Sequence, residues 1–292
     1  MKKFAKFMIK IFKYFCQSLI IYLFFLIGRI FGLSISRGIF AFLFSTVGPF
    51  FKSQEIIKNN LDVILKKDSS LNKNKIINEM WKNYGKTFIE YIYLDNFRKG
   101  NSHIRITGEE NLKQVTNNGN QVIFVSGHFA NFELMSMEIT KKKIPLATIY
   151  RPLNNFFLNP FMEYLRKKYV CHNQIKKGIN GLRETIEYIK KKNCIALMID
   201  QRVSEGEKII FFDKPALTTT LPAQLSTKFG LDIIPVYIER DENNNFHIEF
   251  QRSISPHNFE NRIELTKKLN KVLEEMIIRN PFQWIWTHNR WK

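Results

Sequence analysis

From residue 104 to the C-terminus, short apolar runs alternate with longer stretches whose apolar residues recur every three or four positions. Residues 121–126 (QVIFVS), 145–150, 194–199 (CIALMI), 209–212 and 232–239 (DIIPVYIE) read as strands, and 246–250 alternates as an edge strand does. Between them, 128–141, 160–169, 178–192, 221–229 and 259–279 read as helices. A continuous apolar run is a strand buried on both faces, and alternation with helices supplies the cover. The expected fold class is α/β: a mixed, mostly parallel sheet flanked by helices. Residues 53–100 read as helical and polar, with a core-facing stripe of Ile77, Met80, Trp81, Tyr84, Phe88, Tyr91 and Ile92.

The N-terminus has a different character. Residues 1–52 hold eight basic residues and no acidic one. Lys2, Lys3, Lys6, Lys10 and Lys13 are interleaved with Phe4, Phe7, Met8, Ile11, Phe12 and Phe15, the pattern of an interfacial helix with a cationic face. Two uncharged runs follow, 14–28 and 38–51, each shorter than the roughly 20 apolar residues of a bilayer crossing. A signal peptide would need a small-residue cleavage site after the first run, and none stands there. The readings are a membrane-binding helical segment or a buried apolar hairpin. The expected organisation is 1–52 as membrane-associated helices and 53–292 as one catalytic domain.

The chain has 292 residues and a formal charge of +19, so an acidic partner is expected: an anionic membrane, an acidic protein or a nucleic acid. Cys16, Cys171 and Cys194 are too scattered for a metal knuckle or a redox pair, which leaves small buried apolar side chains in a reducing compartment.

In open α/β sheets ligands sit beyond the carboxyl ends of the strands. Three such ends carry polar residues. After 121–126 come Gly127 and His128, with Glu133 five positions later. If His128 lies in the turn and Glu133 in the first helical turn, the carboxylate accepts a hydrogen bond from one imidazole nitrogen and leaves the other as a general base. The alternative is a His and a Glu that only cap a helix. The second end carries Arg151 and Asn154, where Arg151 is an anion or oxyanion contact or a surface ion-pair partner. The third is Asp200-Gln201-Arg202, whose carboxylate holds Arg151 or a substrate hydroxyl, or caps a turn. Thr220, two residues before Pro222, is a candidate helix cap facing the same crevice.

At these residues the chain resembles the late acyltransferases of lipid A biosynthesis, the lauroyl and myristoyl transferases of the glycerolipid acyltransferase superfamily. The matching pieces are SGHFANFE (126–133), YRPLNN (150–155), MIDQR (198–202), FFDKPALTTTLPAQL (211–225), IIPVYIER (233–240) and PFQWIWTHNRWK (281–292). The chain departs from the family pattern at Ala130 and Phe132, where Gly and Trp are usual, at Leu221 and at Asn289. The resemblance implies a glycerolipid acyltransferase-like sheet and acyl transfer from an acyl carrier protein thioester to a hydroxyl of a lipid A precursor. It makes His128 the base and Glu133 its orienting carboxylate, with Arg151, Asn154, Asp200, Gln201 and Thr220 toward the substrate. It calls for no metal and no organic cofactor. It implies a monomer at the cytoplasmic face of the inner membrane, inserted monotopically or by a re-entrant hairpin, because one full crossing with the basic N-terminus inside would put the catalytic domain outside. Trp284, Trp286 and Trp291 either lie at the membrane interface or pack the C-terminus. The rivals are a sibling enzyme acting on another acceptor lipid, such as a glycerophospholipid or an amino lipid, and a basic nucleic-acid-binding protein. The spread of lysines and the absence of a nucleic-acid motif weigh against the latter.

Overall fold

The computed structural model describes residues 2–65, 72–117 and 119–292. Met1, the side chains of Lys2 and Lys3 at the start of the cationic stretch, and residues 66–71 of the polar helical region lie outside the described residues. The helices are α1 (Lys2–Phe51), α2 (Gln54–Leu65), α3 (Lys73–Glu90), α4 (Leu94–Lys99), α5 (Lys113–Thr116), α6 (Glu133–Lys141), α7 (Asn159–Leu165), α8 (Ile179–Lys190), α9 (Leu221–Phe229) and α10 (Arg262–Arg279). The strands are β1 (Ile104–Thr107), β2 (Val122–Ser126), β3 (Leu146–Tyr150), β4 (Asn173–Lys176), β5 (Cys194–Met198), β6 (Glu207–Phe211), β7 (Lys214–Thr218), β8 (Asp232–Arg240) and β9 (Phe246–Phe250).

Seven strands form one sheet in the order β1-β9-β8-β2-β5-β3-β4. Strands β8, β2, β5, β3 and β4 are parallel; β9 is antiparallel to β8, and β1 runs with β9. Every residue of β2 and the first four of β5 are buried, as their unbroken apolar sequences require of strands covered on both faces. The sheet therefore matches the expected class.

Three elements differ from the sequence reading. First, β9 alternates but is not an edge strand; it lies between β1 and β8. Its polar face is used internally: His247 meets Thr107 Oγ1 at 2.8 Å and Glu239 at 3.3 Å, and Glu249 pairs with Arg279. The true edges, β1 and β4, are four residues each and mostly half-buried. Second, β6 does not join the sheet. It pairs with β7 in a separate hairpin whose two turn residues, Phe212 and Asp213, both have positive φ, the geometry that a two-residue turn needs to follow strand twist. Third, the helix after His128 starts only at Glu133, so 127–132 is an irregular loop.

Helix α1 is broken at Gly32, whose φ of 76° lies in the left-handed region. Phe24 and Phe40 have ring centroids 5.5 Å apart. In a straight helix those positions would lie about 24 Å apart, so the chain folds back at the break. Its inner face packs tightly on α3. A Cβ on Gly85 would sit 2.0 Å from the Phe40 carbonyl oxygen, and one on Gly28 2.3 Å from Ile89. The outer face leaves large apolar side chains uncovered, among them Phe4, Ile9, Phe12, Leu26, Ile30 and Phe42.

Candidate active site

The parallel register pairs Ser126 with Met198, so His128 and Asp200, each two residues further on, leave neighbouring strands side by side. Gly127 makes the turn because a Cβ there would come within 2.7 Å of the Phe129 ring. Asp200, buried at 3% exposure, accepts at one oxygen from the His128 backbone N–H (2.8 Å) and from the Trp284 indole N–H (2.8 Å). Its other oxygen is 2.7 Å from His128 Nδ1. Burial alone would raise the Asp200 pKa, but the imidazole and these donors override it and hold the carboxyl below its ordinary range. Burial likewise disfavours the charged His128 ring, yet the Asp200 carboxylate outweighs that and raises its pKa; Glu133 adds to the effect and Arg166 opposes it. With Nδ1 donating to Asp200, the neutral ring carries its lone pair on Nε2. The ring stays partly exposed and meets Phe132 edge-on at 4.6 Å.

Glu133 is not the hydrogen-bond partner of the imidazole in this structure. Its Oε1 accepts from Tyr91 Oη at 2.6 Å and from Arg166 Nε at 2.7 Å, and Arg166 also donates to Tyr91 Oη at 2.9 Å. The reason is geometric and electrostatic. Asp200 is the strand neighbour of His128, while a buried guanidinium faces the start of α6 and takes its carboxylate. Arg166 opens a π-helical turn, Arg166–Val170, after α7, a local widening of the kind often found at functional sites.

The remaining expected residues make no hydrogen bond to this pair among the described residues. Arg151 is exposed at the end of β3, near enough for its charge to act on Lys177 and His288. Asn154 is exposed in the same loop, and Gln201 is half-buried beside Asp200. Thr220 occupies the N-cap position of α9, but its side chain does not cap the helix: its Oγ1 accepts from Gln224 Nε2 at 2.7 Å. Trp284 and Trp286 are almost fully buried, so these two tryptophans pack the C-terminus and do not meet a membrane.

The C-terminal tail contributes more than aromatic packing. Gln283 and Trp284 lie along the His128 loop, through Ala130 N–H to the Gln283 carbonyl at 3.1 Å and a bridge between Phe129 and Trp284. His288 Nε2 accepts from the Arg202 backbone N–H at 3.0 Å, and burial holds its pKa down. Arg290 is fully buried, donates to Leu217 O and Thr218 Oγ1 at 2.8 Å each, and lies over the Phe211 ring; burial pushes it down to about 10. Sequence reasoning missed Arg166, Tyr91 and His288. Only the tail motif carried a signal, since its polar residues stand in an aromatic run.

A family model for bacterial lipid A biosynthesis acyltransferases matches residues 1–292. The chain belongs to that family. It is 24% identical over 253 residues to the lipid A biosynthesis palmitoleoyltransferase of Escherichia coli (strain K12), covering 84% of this chain and 80% of the relative. The same figures hold for a lipid A biosynthesis acyltransferase of Shigella flexneri. The solved structure of the 1-acyl-sn-glycerophosphate acyltransferase PlsC from Thermotoga maritima is similar at a TM-score of 0.41 and 16% identity, covering 87% of this chain and 100% of that one. Membership in the lipid A acyltransferases decides for acyl transfer in lipid A biosynthesis over nucleic-acid binding. It also bears on Ala130, where the family pattern usually has Gly. The residue has a φ of 43°, a left-handed conformation that glycine adopts without strain.

Proposed function

We propose that this chain transfers a fatty acyl group from an acyl carrier protein thioester to a hydroxyl of a lipid A precursor. His128 Nε2 takes the hydroxyl proton, and Asp200 holds the ring in register and stabilises the imidazolium. The alkoxide attacks the thioester carbonyl and forms a tetrahedral oxyanion. Collapse of that intermediate expels the thiolate, which takes the proton back from the imidazolium. The base acts without an acyl-enzyme. Glu133 supports the imidazolium through its negative charge and fixes Arg166 close by, while Arg151 meets a phosphate of the acceptor. The observation that carries this reading is the His128–Asp200 pair, 2.7 Å apart at the carboxyl ends of two buried parallel strands and backed by Trp284.

Residues 1–52 are proposed as a monotopic anchor at the cytoplasmic face of the inner membrane, and 53–292 as the catalytic domain of a monomer. The uncovered apolar face of α1 and its exposed Lys6, Lys10 and Lys13 support this. The test is mass spectrometry of products from the purified enzyme given mixed acyl carrier protein thioesters and lipid A precursors. An acylated precursor with wild type and none with His128→Ala is expected; equal product from both would remove His128 as the base.

A further inference from the structure

Large apolar side chains stand in water at a second place, on the catalytic half. Leu153 and Phe156 lie in the loop after β3, and Ile179 and Leu182 lie at the start of α8, with Ile179 81% exposed. The two sites are neighbours. Strands β3 and β4 are parallel with Tyr150 opposite Lys176, so both loops leave the sheet side by side, and Lys177 N–H donates to the Tyr150 carbonyl at 2.9 Å. Ile179 and Leu182, three residues apart, share a face of α8.

The loop is also fixed to α1. Tyr14 meets Phe156 edge-on at 5.9 Å, Phe15 meets Phe157 at 5.6 Å, Asn155 Nδ2 donates to the Tyr14 carbonyl at 2.8 Å, and Tyr22 Oη donates to the Phe157 carbonyl at 2.9 Å. The apolar face of α1 therefore continues onto the catalytic half. Exposed Arg151, Lys176, Lys177 and Arg183 flank it, partly offset by Glu163, which pairs with Lys176 at 3.2 Å, and by Glu205 near Lys177.

We propose that the Leu153/Phe156 loop and the Ile179/Leu182 face of α8 form a second contact with an anionic lipid surface, continuous with α1. This rests on the reading of α1 as a membrane anchor. Apolar side chains ringed by basic ones fit the boundary between headgroups and acyl chains. Removing the exposed parts of these side chains from water favours contact and orients a domain that α1 already tethers. The patch lies at the carboxyl ends of β3 and β4, the same end of the sheet as His128 and Asp200. The mouth of the site then faces the bilayer, and an acceptor lipid reaches it without leaving the membrane entirely.

The test places an environment-sensitive fluorophore on single cysteines in a full-length Cys16→Ser background, in which Cys171 and Cys194 are buried. The positions are Phe12→Cys on α1, Phe156→Cys, Ile179→Cys, and Lys191→Cys, which is about 18 Å from Ile179 along α8. Vesicles of phosphatidylethanolamine and phosphatidylglycerol carry brominated acyl chains as quenchers. The expected result is severalfold quenching at positions 12, 156 and 179 and none at 191. Quenching at 12 alone would leave α1 as the sole anchor and overturn the proposal. Absence of quenching at 12 as well would overturn the anchor reading with it. A blue shift at 179 that grows with protein concentration in the absence of lipid would assign the patch to a second copy of the chain instead. The variant Ile179→Asp/Leu182→Asp should lose vesicle binding severalfold while unfolding in detergent at the wild-type temperature.

Discussion

At the scale of single residues, the pairing of His128 with Asp200 sets a pH-dependent expectation. The base works only when neutral, so activity falls as pH drops through its pKa. The Asp200 carboxylate raises that pKa. Asp200→Asn removes the support, so the acidic limb of kcat/KM should move to lower pH while the plateau drops about 10²–10⁴-fold. An unchanged limb would assign orientation of the ring to another group. Glu133→Gln should cost less, because its oxygen would still accept from Tyr91 and Arg166, and the limb should move only slightly. Ala130 gives a stability expectation. A non-glycine residue at positive φ is strained by about 1 kcal/mol, more than the backbone entropy that a glycine adds. The net gain is roughly 0.5 kcal/mol, so Ala130→Gly should raise the unfolding temperature by about 1 °C. The sequence reading found His128 and Asp200 separately but not their bond. Their adjacency comes from the Ser126–Met198 register, which spacing along the chain does not encode.

At the scale of elements, legibility followed burial. Strands β2, β5 and β8 were readable because both faces are covered and the interior of each sequence is an unbroken apolar run. IRIT and NQIK, the edge strands β1 and β4, were not, since four residues of mixed burial are too few to carry a period. The π-helical turn at Arg166 was also invisible, because it changes one helical spacing without a Gly or Pro to mark it. The contact between α1 and α3 lends itself to a direct test. Gly85→Ala gains roughly 1 kcal/mol of helix propensity. The added Cβ would sit 2.0 Å from a backbone oxygen of Phe40, which cannot swing away as a side chain could. Overpacking of this kind costs about 1–3 kcal/mol. The clash should win, and thermal unfolding in detergent should show a net loss; a gain would mean that the two helices separate easily.

At the scale of the whole molecule, one buried ionic cluster ties the N-terminal helices to the catalytic loop. Glu90, at the end of α3, is fully buried and accepts from Arg240 of β8, from Arg37 of α1 at 2.7 Å and from Asn131 of the His128 loop at 2.9 Å. Lys86 lies close enough to feel the same charges. Burial would raise the Glu90 pKa, but the two guanidiniums override it and hold it below the ordinary value of 4.5. A carboxylate whose pKa is depressed by folding contributes stability that is complete above its unfolded pKa. That contribution is lost as pH falls through the folded one. Glu90→Gln leaves two arginines buried without a counter-charge, which costs about 3–5 kcal/mol at neutral pH. The gap in unfolding temperature between wild type and Glu90→Gln should thus be widest near pH 7. It should stay constant down to about pH 5 and narrow below that, as the Glu90 carboxyl of the unfolded chain takes up a proton that the folded one resists. The same variant leaves one acceptor oxygen for which Asn131, Arg37 and Arg240 compete, so the hold on Asn131 weakens and the His128 loop should exchange its amide hydrogens faster even where the global fold persists. A gap that did not narrow in acid would place the stabilising charge on some group other than Glu90.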